Sequence, residues 1–422
     1  MPHPAGYGRR ADDPGSLSLI SALIDERERG KAIGSWSSLT TMVTIGGPIL
    51  GGALADAGWW RAIFFINIPL GTAALLFLWR QVPESRGAKG SDSLDWPGAV
   101  AVACGLALLT LGCLRIPLVG WTHWSVAAAL GAGVVMMFVF IRTEATRKDP
   151  MMPLSLFRNP VFSGVNALTF FLYAGLGASM LFLSLDLVQA QGFSQLEAGI
   201  SFLPFTILMI LLSRVAGRLS DNYGPRLMLI AGPLLAGLGM LALSFSGRFR
   251  GFSGYWTHIF PGMFLFGLGI STTVVPLTAT VMGTVGRQFS GVASGVNNAL
   301  SRVAGVFANA VFGALAVVLF AGLVRQRVDR MALDGRMKTE IVAQADKLGD
   351  ARAPAELTDR GGMGREGDGG GMAAQVQEMY REEFVRVCAS ILRVCAGLAL
   401  AGAVMAVLFV KAGREGAGNR VG

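Results

Sequence analysis

The chain alternates between long apolar blocks and short joints rich in glycine, proline or charge. Ten blocks are candidate spans: 33–54, 62–79, 97–116, 124–142, 161–185, 198–217, 226–246, 258–283, 291–320 and 386–410. A span needs about 20 such residues. Inside lipid each backbone polar group must find its partner within the segment, so these blocks are expected to be helices. The pattern predicts an all-α, polytopic membrane protein of about ten transmembrane helices. The first block breaks its own rule. GGPILGG, residues 46–52, packs four glycines and a proline into an apolar span. Glycine costs about 1 kcal/mol and proline about 3 kcal/mol inside a helix.

The blocks also repeat. Residues 30–52 and 291–313 align at a constant offset, Gly30, Ala32, Gly34, Leu39 and Gly52 meeting Gly291, Ala293, Gly295, Leu300 and Gly313. Parallel repeats of this kind are one way transporters are built. Counting outward from each copy, four spans precede 291 back to the charged joint at 142–160, and by symmetry four should precede residue 33. The expected organisation is therefore 1–90 as a remnant of an N-terminal helical bundle with two spans, 91–150 as an inserted central pair, and 151–422 as a C-terminal six-helix bundle with a long outer loop at 321–385. A frame error or frameshift just before Pro14 would account for spans missing there: one assumed codon choice for Arg9 to Asp13, shifted by a base, encodes Gly-Ala-Leu-Met-Thr.

Composition agrees with the pattern. Hydrophobic residues make up 52% of the chain and charged ones 15%, with mean hydropathy +0.53; a soluble domain carries about 25% charged residues. The net charge of +9 would suit nucleic acid, but its placement points to a membrane. If the first short loop is cytoplasmic, that side gathers seventeen basic residues, among them Arg80, Arg86, Lys89, Arg142, Arg147, Lys148 and Arg158, against only Arg61, Arg115, Arg248 and Arg250 opposite. This positive-inside bias predicts a multi-pass protein of a bacterial-type plasma (inner) membrane with both termini cytoplasmic. The loop 321–385 is basic and outside, as long loops are free to be, and its GGMGREGDGGGM stretch reads as flexible. Cys104, Cys113, Cys388 and Cys395 all lie in spans without a CxxC pair and read as small buried hydrophobes. The three histidines lack metal-ligand spacing, and the first 16 residues lack the apolar core of a signal peptide.

GGPILGG followed by WWRAIFFINIPLG resembles the antiporter signature and following helix of the fourteen-span drug/proton antiporters, multidrug efflux pumps of the major facilitator superfamily. GRLSDNYGPR, 217–226, resembles the superfamily's cytoplasmic loop signature. The resemblance covers residues 14–411 and implies a major facilitator fold lacking its first four spans. On the residues themselves, Gly46, Gly47, Pro48, Gly51 and Gly52 strip side chains from a helix, which lets it bend and lets a neighbour approach. The resemblance implies that this helix lines the interface between halves and controls leak; simple small-residue packing is the competing reading. It likewise implies that Gly217, Asp221, Gly224 and Arg226 form a charge latch, against a solvated turn using Asn222 and Gly224. Asn298, Arg302, Gly305 and Asn309 share one helical face, and an arginine within a span faces a cavity or a partner; a water-filled path and interhelical glue are equally open. Asp186, followed by Gln189 and Gln191, closes a span. It is a candidate for the proton path, although a solvated place at the outer interface is the reading adopted.

The resulting expectation is proton-coupled efflux of drugs or other small amphipathic molecules by alternating access. The proton gradient is the energy source and no cofactor or metal is needed. Expected partners are a small-molecule substrate and membrane lipid, not nucleic acid, with other efflux components left open. An enzyme is disfavoured, because no Ser/His, Cys/His, paired intramembrane Asp or HExxH constellation is present. The rival is a non-transporting truncated fragment or pseudogene product of such a pump.

Overall fold

A computed structural model of the chain describes residues 43, 46–81, 95–120, 122–147, 150–249, 251–285, 289–331, 333–354, 356–357 and 369–410. The helices are α1 (46–56), α2 (Asn67–Gln81), α3 (Trp96–Val119), α4 (Trp124–Thr146), α5 (Pro160–Leu185), α6 (Gln195–Ser201), α7 (Leu203–Tyr223), α8 (Pro225–Leu243), α9 (Phe260–Gly283), α10 (Ser290–Asp329), α11 (Gly335–Ala343) and α12 (Gly369–Phe409). Among the described residues, eight helices are long and apolar enough to cross a membrane, and they carry the last eight predicted blocks. The block 62–79 is a shorter apolar helix, and most of 33–54 lies outside the described residues.

The ends of the spans follow their local chemistry. Asn159 caps α5 by accepting from the N–H groups of Val161 and Phe162, with Pro160 in the first turn, where its missing N–H costs nothing. Asp95 caps α3 by accepting from the N–H of Gly98 at 2.9 Å. It also pairs with Arg147, just past the end of α4, at 2.8 Å. One carboxylate therefore closes the central α3–α4 hairpin at one membrane face.

The core lies among α5, α8, α9, α10 and α12, where Leu168, Phe182, Leu229, Met240, Phe266, Phe320 and Ile391 are fully buried. The tightest joint is α8 on α9. A Cβ at Gly239 or Gly269 would collide with the backbone of Phe266 or Ala236. Such small residues let helices approach in lipid, where no hydrophobic force separates protein from solvent tails. Large apolar side chains stay exposed around the outside, including Leu211, Leu238 and Phe138, as a lipid-facing surface requires. Cys113, Cys388 and Cys395 are buried as expected, whereas Cys104 is exposed.

The segment 321–385 departs from the expected loop. α10 runs on to Asp329, α12 begins at Gly369, and α11 and a 3-10 turn, Gln344–Asp350, lie between them. Val324, Val328, Ile341, Val376, Tyr380 and Phe384 are buried there, and the Tyr380 hydroxyl donates to the Ile341 carbonyl at 2.7 Å. The apolar residues recur at helical spacing beneath a high surface charge, so the charge hid a packed cap. Residues 358–368 lie outside the described ones, and the last four residues of GGMGREGDGGGM open α12.

Candidate functional site

The glycine-rich helix α1 docks on the short helix α6. Ser194 starts α6 with a capping box, its hydroxyl accepting from the Glu197 N–H while Glu197 accepts from the Ser194 N–H. Two donors remain at that helix start, and Asp56 takes both. Its Oδ1 accepts from the N–H of Gln195 at 2.8 Å and its Oδ2 from that of Leu196 at 2.9 Å. The Leu196 N–H, helped by Gln195 and Ser194, holds the Asp56 carboxyl below the usual carboxylate range against an opposing cost of desolvation. The backbones nearly touch beside this clamp. A Cβ on Gly52 would stand 2.6 Å from the Gln195 carbonyl oxygen, and one on Gly199 would stand 2.5 Å from that of Pro48. Pro48, Gly52 and Asp56 are four residues apart and share one face of α1. Gly46, Gly47 and Gly51 have no heavy atom within 4 Å of where a Cβ would stand, among the described residues. The structure thus divides the motif. Asp56 and Gly199 were missed by the sequence reading, although the four-residue spacing from Pro48 was there to find.

A second polar centre sits at the end of α5. Asp186 to Ala190 form a π-helical turn in which the Gln191 N–H reaches back to the Asp186 carbonyl at 3.0 Å; π-turns inside helices mark functional sites more often than chance. Asp186 is 3% exposed, which overturns the solvated reading. Its Oδ2 accepts from Gln191 Nε2 at 3.3 Å, and its Oδ1 has no hydrogen-bond partner among the described residues. Gln191 fixes the surrounding turn, donating to the Gly247 carbonyl and accepting from the Phe249 N–H. Arg248 donates to the Ala190 carbonyl at 2.8 Å and pairs with Glu378 at 3.0 Å. A buried anion with one unpartnered oxygen is costly, so this carboxylate is placed where gaining a proton changes its energy.

The α10 row separates. Asn298 and Arg302 are exposed, and Arg302 borders a cavity of about 240 Å³ shared with Leu106 and Thr110 of α3. Gly305 meets α5, where a Cβ on Gly177 would lie 2.9 Å from its Cα. Asn309 is half-buried, with an Oδ1 that has no partner among the described residues. The buried polar contact belongs instead to Asn297, which donates to Asn166 at 3.2 Å and Thr169 at 2.7 Å. In the loop signature, Gly224 has φ +86° where α7 stops and α8 starts. The Cβ position of Gly217 lies 3.4 Å from Val275, and Arg226 donates to the Val407 carbonyl at 3.3 Å. The side chain of Asp221 lies outside the described residues, so its proposed pairing is not placed. Among the described residues no cluster of metal-ligating side chains occurs.

Residues 5–309 match the family model described as Major Facilitator Superfamily. The chain is 29% identical over 310 residues to the tetracenomycin C resistance and export protein of Streptomyces glaucescens, covering 72% of this chain and 55% of that one. It is 27% identical over 330 residues to the multidrug resistance protein Stp of Mycobacterium tuberculosis, covering 78% and 60%. With the methylenomycin A resistance protein of Bacillus subtilis the figures are 28% over 313 residues, 74% and 66%. The chain thus spans little more than half the length of the first two. A bacterial homolog of the human lysosomal transporter Spinster overlays with a TM-score of 0.49 at 14% identity, over 93% of this chain and 74% of that one.

Proposed function

The chain belongs to the Major Facilitator Superfamily, and from that premise we propose that it exports drugs or other small amphipathic molecules by alternating access, driven by inward proton flow. It is an integral, multi-pass transporter and not an enzyme. The relatives' names cover two different antibiotics and one multidrug specificity, which favours a broad class of substrate over a single compound.

The observation that carries the reading is the α1–α6 clamp. Alternating access needs contacts across the halves that form in one conformation and break in another, and a ligand drives the cycle only through its differential affinity for the two states. The clamp joins an element before the central pair to one after it. It consists of a backbone approach and two hydrogen bonds, which can be remade each cycle. In this reading Gly46, Gly47 and Gly51 supply bending, while Gly217, Asp221, Gly224 and Arg226 act as the latch at the other membrane face. Asp186 carries the proton, Arg302 and Asn309 border the path, and no cofactor takes part. Placement in a bacterial-type inner membrane with cytoplasmic termini rests on the positive-inside bias.

The test uses pump-deficient cells expressing the chain and loaded with ethidium. Efflux is expected to stop on addition of a protonophore. Asp186→Asn, a neutral group of equal size, is expected to insert normally and to export only at the protonophore-treated rate. Loss of dye no faster than from empty-vector cells would sink the transport reading in favour of a non-transporting membrane protein. Wild-type export by Asp186→Asn would remove that residue from the coupling.

A further inference from the structure

The cap meets the membrane at a cationic cavity of about 390 Å³ between α10 and α12. Its walls include Arg327, Arg330 and Arg386 around one acid, Glu383, with Leu323 and Met331 completing an apolar side. Glu383 is 1% exposed and already committed, accepting from Arg327 at 2.8 Å and from Arg386 at 3.0 and 3.1 Å. The other terminal nitrogen of Arg327 is held by Glu382 at 2.8 Å. Arg330 has no acidic partner among the described residues. Counting Glu382 and Glu383 against the three arginines leaves a surplus of one positive charge, at Arg330.

Depth identifies what meets that surplus. Residues 303–324 of α10 carry no charge, a run of about 33 Å at 1.5 Å per residue, close to the thickness of the hydrocarbon core. Arg327 and Arg330 follow within two turns, at the level of lipid headgroups. Below them the α10 wall is apolar, with Leu319 one turn beneath Leu323 on the same stripe and exposed; on α12 the exposed Val394 lies two turns beyond Arg386, beside Arg393, which is exposed too and lies over the Phe245 ring. A free anion in water would have no use for that greasy continuation, whereas an acyl chain would. Juxtamembrane arginine clusters attract acidic headgroups, and guanidinium forks match phosphate oxygens bidentately. We propose that this cavity holds the phosphate headgroup of an anionic phospholipid, with its chains descending along α10 and α12, so that lipid stabilises the joint between the cap and the bundle. The proposal is independent of the transport reading.

The test titrates the purified chain in mild detergent with phosphatidylglycerol, phosphatidylcholine and inorganic phosphate, counting bound adducts by native mass spectrometry. Phosphatidylglycerol is expected to bind well below the concentration needed for phosphatidylcholine. Arg330→Gln is expected to weaken it about fivefold, the scale of one interfacial arginine, and Arg386→Gln by a similar factor, while Arg336→Gln on the outer cap changes nothing. If Arg386→Gln fails to fold because Glu383 loses a partner, Arg330→Gln decides alone. Equal binding of the two lipids, or phosphatidylglycerol binding unchanged in folded Arg330→Gln, overturns the site. An equal effect of Arg336→Gln reduces it to general charge attraction and overturns it too. Displacement of the lipid by equimolar inorganic phosphate keeps the phosphate chemistry and overturns the lipid.

Discussion

At position 56 one carboxylate satisfies two backbone donors of another helix, bonds strengthened because the acceptor is charged. Those donors hold the docked carboxyl below its ordinary value. The sign follows by linkage: the docked state is favoured in full above the ordinary carboxylate value and loses that support as pH falls through the depressed one. Spin labels at the exposed positions 50 and 207 should report a constant separation from neutral pH down to the ordinary carboxylate range, then a widening below it. In Asp56→Ala the wide separation should be present throughout. A separation indifferent to both pH and the substitution would dismiss the clamp. The residue scale is also where the sequence reading strayed. It singled out Asn298, but the buried donor is Asn297, because one residue turns a helix by about 100° and moves a side chain to another face.

For whole helices, the two neighbouring glycines of the motif part company. Gly52 faces α6 and Gly51 faces open space. As parts of one motif they look interchangeable in the sequence, and a bulky group at Gly51 would be expected to stop export by stiffening the helix. The docked geometry ranks them. Gly52→Leu should push α1 off α6, at the cost of about 1–3 kcal/mol usual for overpacking, and should depress export and widen the 50–207 separation together. Gly51→Leu should leave that separation unchanged, and any loss of export in it then reports bending alone. The reverse ranking of separations would contradict the docked arrangement. The cap carries the same lesson. Its buried positions 324, 328, 376, 380 and 384 are legible as helical stripes, but the charge between them made the segment read as a loop.

At the scale of the whole molecule, orientation is the expectation that most needs a measurement. With native cysteines replaced, an impermeant thiol reagent should label a cysteine at Thr122 in intact cells and reach one at Lys89 only after the membrane is opened. The opposite result would invert the protein and reassign the faces of both the clamp and the latch. The sequence by itself determined that the chain is helical, that it crosses the membrane repeatedly, where the last eight spans fall, and which superfamily it resembles. Those properties depend on local composition and on the length needed to cross lipid, and each block carries them alone. Only the tertiary structure decided which glycines touch a neighbour, that Asp186 is buried in a π-turn with one oxygen unpartnered, that Asp56 spans two helices, and that three arginines gather around Glu383. Each of those depends on residues from segments far apart in the chain, and the angle at which two helices meet is set by packing, which no single block encodes.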